Sequence, residues 1–165
     1  MTMTPLDIFA LTGIASGGIP IRIDVPLRLS EAGLLGALGW YPERRGAGDG
    51  VPQGTLLGHL AQERARIDAV GGVMTRRETR QYARTFLLLV CHELFESRGG
   101  NVVHFWWLPF LRHFDQIHNY DWGGFILAVL YDSMDQVSRH LAINLKGFAM
   151  LWEVRESELL YSHSF

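Results

Sequence analysis

Four arginines near the middle of the chain are the residues whose types and spacing most directly suggest chemistry. The sequence TRRE at positions 75–78 is a Ser/Thr-x-x-Glu capping box, which predicts the start of a helix. On that helix Arg76, Arg80 and Arg84 fall on one face, and Arg77 lies beside them. Because guanidinium groups bind phosphate oxygens through paired charge-assisted hydrogen bonds, these arginines are candidate contacts to a nucleic acid or another partner. A solvated helix surface with the neighbouring glutamate as an ion partner explains the same pattern, and the net charge of -2 favours that alternative.

No catalytic or metal-binding set is predicted from the remaining reactive side chains. Cys91 and His92 are adjacent, so on a helix they point about 100° apart and cannot form a nucleophile–base pair. Cys91 follows an apolar run and is interpreted as a core residue. The spacing of His113 and His118 differs from the His-x3-His pattern that places two imidazoles on one helical face. We therefore expect no catalytic residue, no metal site and no cofactor.

Composition narrows the class of protein further. The chain has 165 residues, of which 48% are hydrophobic, so it is long and apolar enough to bury a core. The single cysteine excludes an internal disulfide and any zinc site that needs two thiolates. No apolar run approaches the roughly 18 residues of a membrane span, and the N-terminus lacks the features of a secretory signal. These observations predict an intracellular globular domain with no membrane partner.

The elements that position the arginines are predicted from helix starts and stops. We expect a mainly α fold: a single compact helical domain over residues 1–165, with a minor extended segment near the N-terminus. Pro20 and Pro26 restrict that segment, residues 19–29, to a sheet edge. The Gly-rich stretch 41–54 is predicted to be a loop, and residues 102–107 a short extended piece. Helices are predicted over residues 5–12, 31–38, 56–70, 76–95, 109–117, 122–139 and 144–160.

Several motifs, taken in order, resemble one protein family. The N-terminal MTPLDIFALTGIASGGIPI and the middle segment QYARTFLLLVCHEL are followed by GNVVH, WLP, FDQI and YDWGG. The runs AVLY, GF and LWE continue the pattern to about residue 155. This order and spacing resembles the plant mobile domain family, whose members are often labelled aminotransferase-like. The family-motif residues that we interpret as structural are Trp107, Pro109, Tyr120, Trp122, Gly123, Gly124 and Trp152.

The resemblance implies a mostly helical domain of plant transposable elements and of nuclear host proteins related to them. Members similar to the maintenance-of-meristems proteins are associated with transposable-element silencing, genome integrity and meristem maintenance, and act with a phosphatase-like protein. The family supplies no established catalytic residues. Members usually carry a further N-terminal segment, so we expect that one is missing here. A functional copy and a truncated or transposon-derived copy are both left open by the sequence. Nuclear localisation follows from the resemblance alone.

Three functions follow as expectations. The first is a non-catalytic interaction domain with a protein partner, and the second is a DNA-binding module of a transposon-encoded protein. The third is an enzyme, either a metal-dependent nuclease or transposase or, literally, an aminotransferase. The literal aminotransferase is rejected because a pyridoxal-phosphate enzyme needs a Schiff-base lysine in a phosphate-binding fold. Here Lys146 is the single lysine, and the chain is short for the two-domain architecture of such enzymes.

Overall fold

The structure is a computed structural model and describes residues 3–23, 30–42, 50–96, 101–143 and 145. The described elements are mainly α-helical, which confirms the predicted fold class. None of the described helices is long and apolar enough to cross a membrane. The predicted terminal helix over 144–160 lies outside the described residues. The helices are α1 (Pro5–Thr12), α2 (Glu31–Leu38), α3 (Gln53–Ala69), α4 (Arg76–Phe95) and α5 (Trp122–Ser138), and the strands are β1 (Gly50–Pro52) and β2 (Val102–His104).

The chain divides into two compact units, each assembled from separate stretches of sequence. The first unit contains residues 1–22, 94–99 and 118–165, and the second contains residues 23–93 and 100–117. Their segments alternate along the chain, so neither unit is a continuous stretch of sequence. The single domain over 1–165 stays a prediction.

In the first unit, α1 packs against α5. Thr4 and Asp7 form a reciprocal capping box at the start of α1, and Gly13 ends that helix in the left-handed conformation. Asp121 caps the start of α5, and its Oδ1 accepts hydrogen bonds from the backbone N–H groups of Gly124 and Gly17, both at 2.8 Å. One carboxylate thereby caps a helix and fixes an N-terminal loop. The buried side chains of this unit include Met3, Ile8, Phe95, Ile126 and Leu130.

The second unit combines α2, α3 and most of α4 with the two short strands. Strands β1 and β2 pair antiparallel, with Gly50 opposite His104 and Pro52 opposite Val102. Thr75 and Glu78 form the predicted capping box at the start of α4. The core is built from apolar positions on each of these elements. Its most deeply buried side chains include Leu34, Val51, Leu56, Leu88, Val103, Phe105, Trp107 and Leu111.

Three local predictions are wrong in whole or in part. Of the predicted extended piece 102–107, Val102–His104 is a strand, whereas Phe105–Trp107 is a 3₁₀ helix. The other two errors lie where distant segments decide the conformation. The stretch 41–54 is not loop throughout, because Gly50–Pro52 pairs with β2 and α3 begins at Gln53. The predicted helix over 109–117 is instead a turn followed by a 3₁₀ helix, Phe114–Asn119. In that turn the backbone bonds join residues three apart, such as Arg112 N–H to Pro109 O.

Two helical glycines predict opposite effects of added side-chain volume. A Cβ at Gly123 would lie 2.8 Å from the Ala15 carbonyl oxygen, whereas a Cβ at Gly58 meets nothing within 4 Å. We expect Gly123→Ala to lower the free energy of unfolding by about 1–3 kcal/mol through overpacking. Gly58→Ala should raise it by about 0.5–1 kcal/mol through helix propensity. Urea denaturation followed by circular dichroism measures both, and equal shifts in the two variants would contradict the close packing at Gly123.

Candidate functional site

Helix α4 supplies the hydrogen bonds that the C-terminal end of α2 lacks. The last carbonyls of a helix have no partner within it, and α2 has no basic residue in its last turn. Gln81 Nε2 donates to the Gly36 carbonyl at 3.2 Å, and Arg84 Nη1 donates to the Ala37 carbonyl at 3.1 Å. Gly39 ends α2 with φ +82°, and a Cβ there would lie 2.8 Å from Gln81 Oε1. The α2 C-terminus is thus stabilised by side chains distant in sequence.

The same guanidinium also fixes the turn that follows β2. Arg84 Nε donates to the Leu111 carbonyl at 3.1 Å, and Arg84 Nη2 donates to the Arg112 carbonyl at 2.9 Å. Its Cζ lies 5.2 Å from the centroid of the Phe114 ring, a cation–π distance. Burial lowers the pKa of Arg84, and the positive charges of Arg80 and Arg112 lower it further. The guanidinium of Arg84 is therefore bound to backbone carbonyl groups of α2 and of the turn.

A cleft of about 500 Å³ lies among α2, α3 and the first half of α4 in the second unit. One part of its lining is apolar and another is charged, which is the usual composition of a recognition site. The cleft is lined by Leu35, Leu38, Gly39, Trp40, His59, Glu63, Arg66, Arg77, Glu78, Gln81 and Tyr82.

The charged side of this cleft is organised around Arg66. Arg66 Nη2 lies 2.9 Å from Glu63 and 3.2 Å from Glu78, so one guanidinium joins α3 to the start of α4. The backbone N–H of Thr75 donates to Glu78 and is the largest cause of the lowered pKa of that carboxyl. The Thr75 hydroxyl also donates to it, and the charge of Arg66 lowers the pKa further. Both carboxylates therefore have cationic partners. Arg77 forms no ion pair with any residue that the structure describes.

The apolar side of the cleft contains a stacked pair with an unused donor. The rings of Trp40 and His59 stack with centroids 4.1 Å apart and an angle of 23°. Among the described residues, the buried Trp40 Nε1–H has no hydrogen-bond partner. Native proteins rarely leave such a donor unsatisfied, because it costs about 1–3 kcal/mol.

The structure separates the four predicted contact arginines. Arg77 lines the cleft, Arg76 and Arg80 line a second depression beside Phe114, and Arg84 is bound to backbone carbonyls. Their role as partner contacts stays a prediction. Arg84 binds the backbone carbonyls of Ala37, Leu111 and Arg112.

The family-motif residues occupy several environments. Trp107 is buried with 1% of its surface exposed, whereas Pro109 is exposed. Trp122 is half-buried and stacks on Phe95 with centroids 6.1 Å apart. Tyr120 packs edge-on against Trp122 and shares a parallel backbone bridge with Ile19.

The two glycines of the YDWGG motif permit close packing at the start of α5. Gly123 is buried, and its N–H donates to the Ala15 carbonyl at 3.3 Å. A Cβ at Gly124 would lie against the capping carboxylate of Asp121. Trp152 and Lys146 lie outside the described residues.

Sequence reasoning missed the cleft residues of α2, of α3 and of the segment after α2, including Trp40 and His59. Their signal was weak, since they are 19 positions apart on different elements. Cys91, interpreted as a core residue, is 5% exposed, which confirms that interpretation. Among the described residues, no group of three or more His, Cys, Asp or Glu side chains is placed to bind a metal ion.

Arg84→Lys tests whether the guanidinium geometry holds the second unit together. A lysine ammonium cannot reproduce the planar fork that reaches three carbonyls. We expect the free energy of unfolding to fall by about 2 kcal/mol, the cost of losing charge-assisted bonds to backbone. Arg80→Lys is the matched control on the same helix and should change it by less than about 0.5 kcal/mol. Urea denaturation midpoints that shift equally would contradict the assigned role of Arg84.

His59 predicts a pH dependence of stability. Burial lowers its pKa below 6.5, and Glu63 opposes this effect without reversing it. Because the unfolded chain binds the proton more tightly, the contribution of His59 is complete above pH 6.5 and is lost as the pH falls below it. An NMR titration of the His59 ring should give a midpoint below 6.5. His59→Phe, which keeps a ring but does not titrate, should flatten this part of the stability profile.

Comparisons with known proteins agree with the motif resemblance. Residues 1–158 match the plant mobile domain. The chain is 30% identical over 138 residues to Protein MAIN-LIKE 2 of Arabidopsis thaliana, an alignment covering 84% of this chain and 20% of that protein. The chain thus spans about a fifth of the length of this curated relative. No solved structure gives a significant match. The match over nearly the whole sequence shows that the chain belongs to the plant mobile domain family, a transposon-related family.

Proposed function

We propose that this chain is a non-catalytic interaction domain of a nuclear, transposon-related protein, and that a protein partner binds in the cleft formed by α2, α3 and α4. The observation that carries the proposal is the cleft itself, which joins an apolar wall to a charged rim. Within this wall, Leu35 is 48% exposed, so an apolar side chain of a partner would remove its surface from water.

Polar groups of the cleft give the partner segment its expected chemistry. Arg77 has no carboxylate partner among the described residues, so an acidic side chain on the partner would complement it. The partner segment that fits the cleft carries an apolar side chain next to an acidic one.

The side chains of the cleft support binding more than catalysis. Among the described residues, its lining contains no serine, threonine, cysteine or lysine, side chains that often act as nucleophiles in covalent catalysis. Glu63 and Glu78 are both engaged by Arg66. The low pKa of Glu78 also disfavours its use as a general acid, since such a group needs a pKa near the working pH.

The proposed biological setting follows from family membership. We extend the proposal to transposable-element silencing, genome integrity and meristem maintenance, with a phosphatase-like protein as the partner. The resemblance of the motifs to maintenance-of-meristems-like members supports this choice. Since the chain covers 20% of its curated relative, the setting is proposed for the domain as part of a longer protein.

Leu35→Asp tests the cleft directly. A carboxylate on the apolar wall should reduce partner recovery at least about tenfold, because it would be desolvated in the complex. Tagged chain is incubated with plant nuclear extract, and bound proteins are quantified by mass spectrometry. Leu57→Asp is the control, because Leu57 is 52% exposed, also helical, and outside the cleft lining.

The informative result is a difference between these two variants. A protein retained by wild type and Leu57→Asp, and lost by Leu35→Asp, supports the cleft as its binding site. Arg77→Glu provides a second variant that keeps the apolar wall and should lose the same protein. Equal recovery by all variants, with circular dichroism showing that each is folded, would contradict the proposal. Recovery of a phosphatase-like protein supports the proposed partner.

A further inference from the structure

A second depression in the second unit, separate from the cleft, combines arginines with an apolar floor. Its volume is about 360 Å³, and it lies between the first turns of α4 and the 3₁₀ helix Phe114–Asn119. The ring of Phe114 and the methyl group of Ala83 contribute apolar surface, and Arg76 and Arg80 contribute charge. Thr79 also lines it, but its hydroxyl donates to the Thr75 carbonyl at 3.0 Å and is therefore engaged within the helix.

The arginines around this depression lack counter-ions in the part of the chain that the structure describes. Arg76 and Arg80 are both exposed, and neither forms an ion pair with a described residue. Arg80 and Arg112 are both close enough to Arg84 to lower its pKa. Like charges held together repel, so the arrangement is unfavourable until an anion occupies it.

The hydrogen bonds of Arg84 place the Phe114 ring next to the arginines of α4. Its bonds to the Leu111 and Arg112 carbonyls fix the turn that leads into Phe114, and its guanidinium lies over the Phe114 ring. The turn therefore brings the Phe114 ring to the arginines of α4. The backbone of this turn is held by hydrogen bonds, which limits the backbone entropy lost when a ligand binds.

We propose that this depression binds a phosphotyrosine side chain of the protein partner, with the phosphate bound by Arg76 and Arg80 and the ring packed on Phe114. The proposal rests on the interaction function, because it names the chemistry of a partner. Guanidinium groups bind phosphate through charge-assisted bonds, and an aromatic ring suits the apolar floor.

The extent of the site favours one phosphate ester with an attached ring. Arg76 and Arg80 are one helical turn apart, about 6 Å along the axis, so their long side chains can converge on a single anionic group. The net charge of -2 opposes a polyanion beyond this patch. The volume of about 360 Å³ is about twelve times that of one water molecule, so phosphate alone would leave most of it unfilled.

The test is an NMR titration of the full chain with three versions of one short alanine–glycine peptide. The central residue is phosphotyrosine, phosphoserine or tyrosine, and a short oligothymidine is titrated in parallel. We expect the amide signals of Ala83 and Phe114 to shift most strongly with the phosphotyrosine peptide. Arg80→Gln should weaken that binding at least about tenfold, since a charge-assisted bond is lost. Arg64→Gln is the control, because Arg64 pairs with Asp68 on α3 outside the depression.

Each alternative outcome overturns the proposal. Equal binding of the phosphoserine peptide removes the role of the ring, and tighter binding of oligothymidine assigns the site to nucleic acid. Absence of shifts at Ala83 and Phe114 shows that the depression is unused. If Arg80→Gln and the second variant, Phe114→Ala, both bind the phosphotyrosine peptide as the wild type does, the peptide does not bind in the depression. These results are distinguishable from failure of the interaction function. That function is tested separately, by the loss of a bound partner when Leu35→Asp changes the cleft of α2, α3 and α4.

Discussion

The hydrogen bonds from Arg84 to three backbone carbonyls are the interaction on which the second unit depends most. They satisfy the Ala37 carbonyl at the end of α2, which the helix leaves without a partner, and the Leu111 and Arg112 carbonyls in the turn. A charged side chain placed among carbonyls is stable here because each of its three nitrogens donates to one of them. The cleft and the depression proposed as binding surfaces are both lined by residues of α4, the helix that carries Arg84.

Local signals in the sequence were sufficient to predict most helix starts. The capping residues Thr4, Ser30, Thr75 and Asp121 act within three positions of themselves, so their effect is readable without tertiary information. The segment after Pro109 shows the limit. It carries acceptable helix residues, but carbonyls that an α-helix would use internally accept bonds from Arg84 instead. Tertiary contacts there override the local preference.

The candidate site was predictable in part for the same reason. The arginine stripe follows from helical spacing along one element, and the structure does place these residues on α4. What spacing cannot show is which arginine faces backbone and which faces solvent. Arg84 differs from Arg80 only through segments 27 and 47 residues away, at Leu111 and Ala37. The cleft formed by Trp40, His59 and Tyr82 likewise exists only after three helices pack.

The contacts that close the first unit have a consequence for its synthesis. Asp121 bonds to Gly17 across 104 positions, and the Tyr131 hydroxyl bonds to the Met3 carbonyl across 128. During translation α1 leaves the ribosome long before α5, the helix against which it packs. Closing so large a loop is entropically costly, and domains rich in distant contacts fold slowly. The apolar face of α1 is therefore uncovered until α5 has been synthesised. During that time Ile8, which is buried in the folded unit, is exposed on the nascent chain and accessible to chaperones.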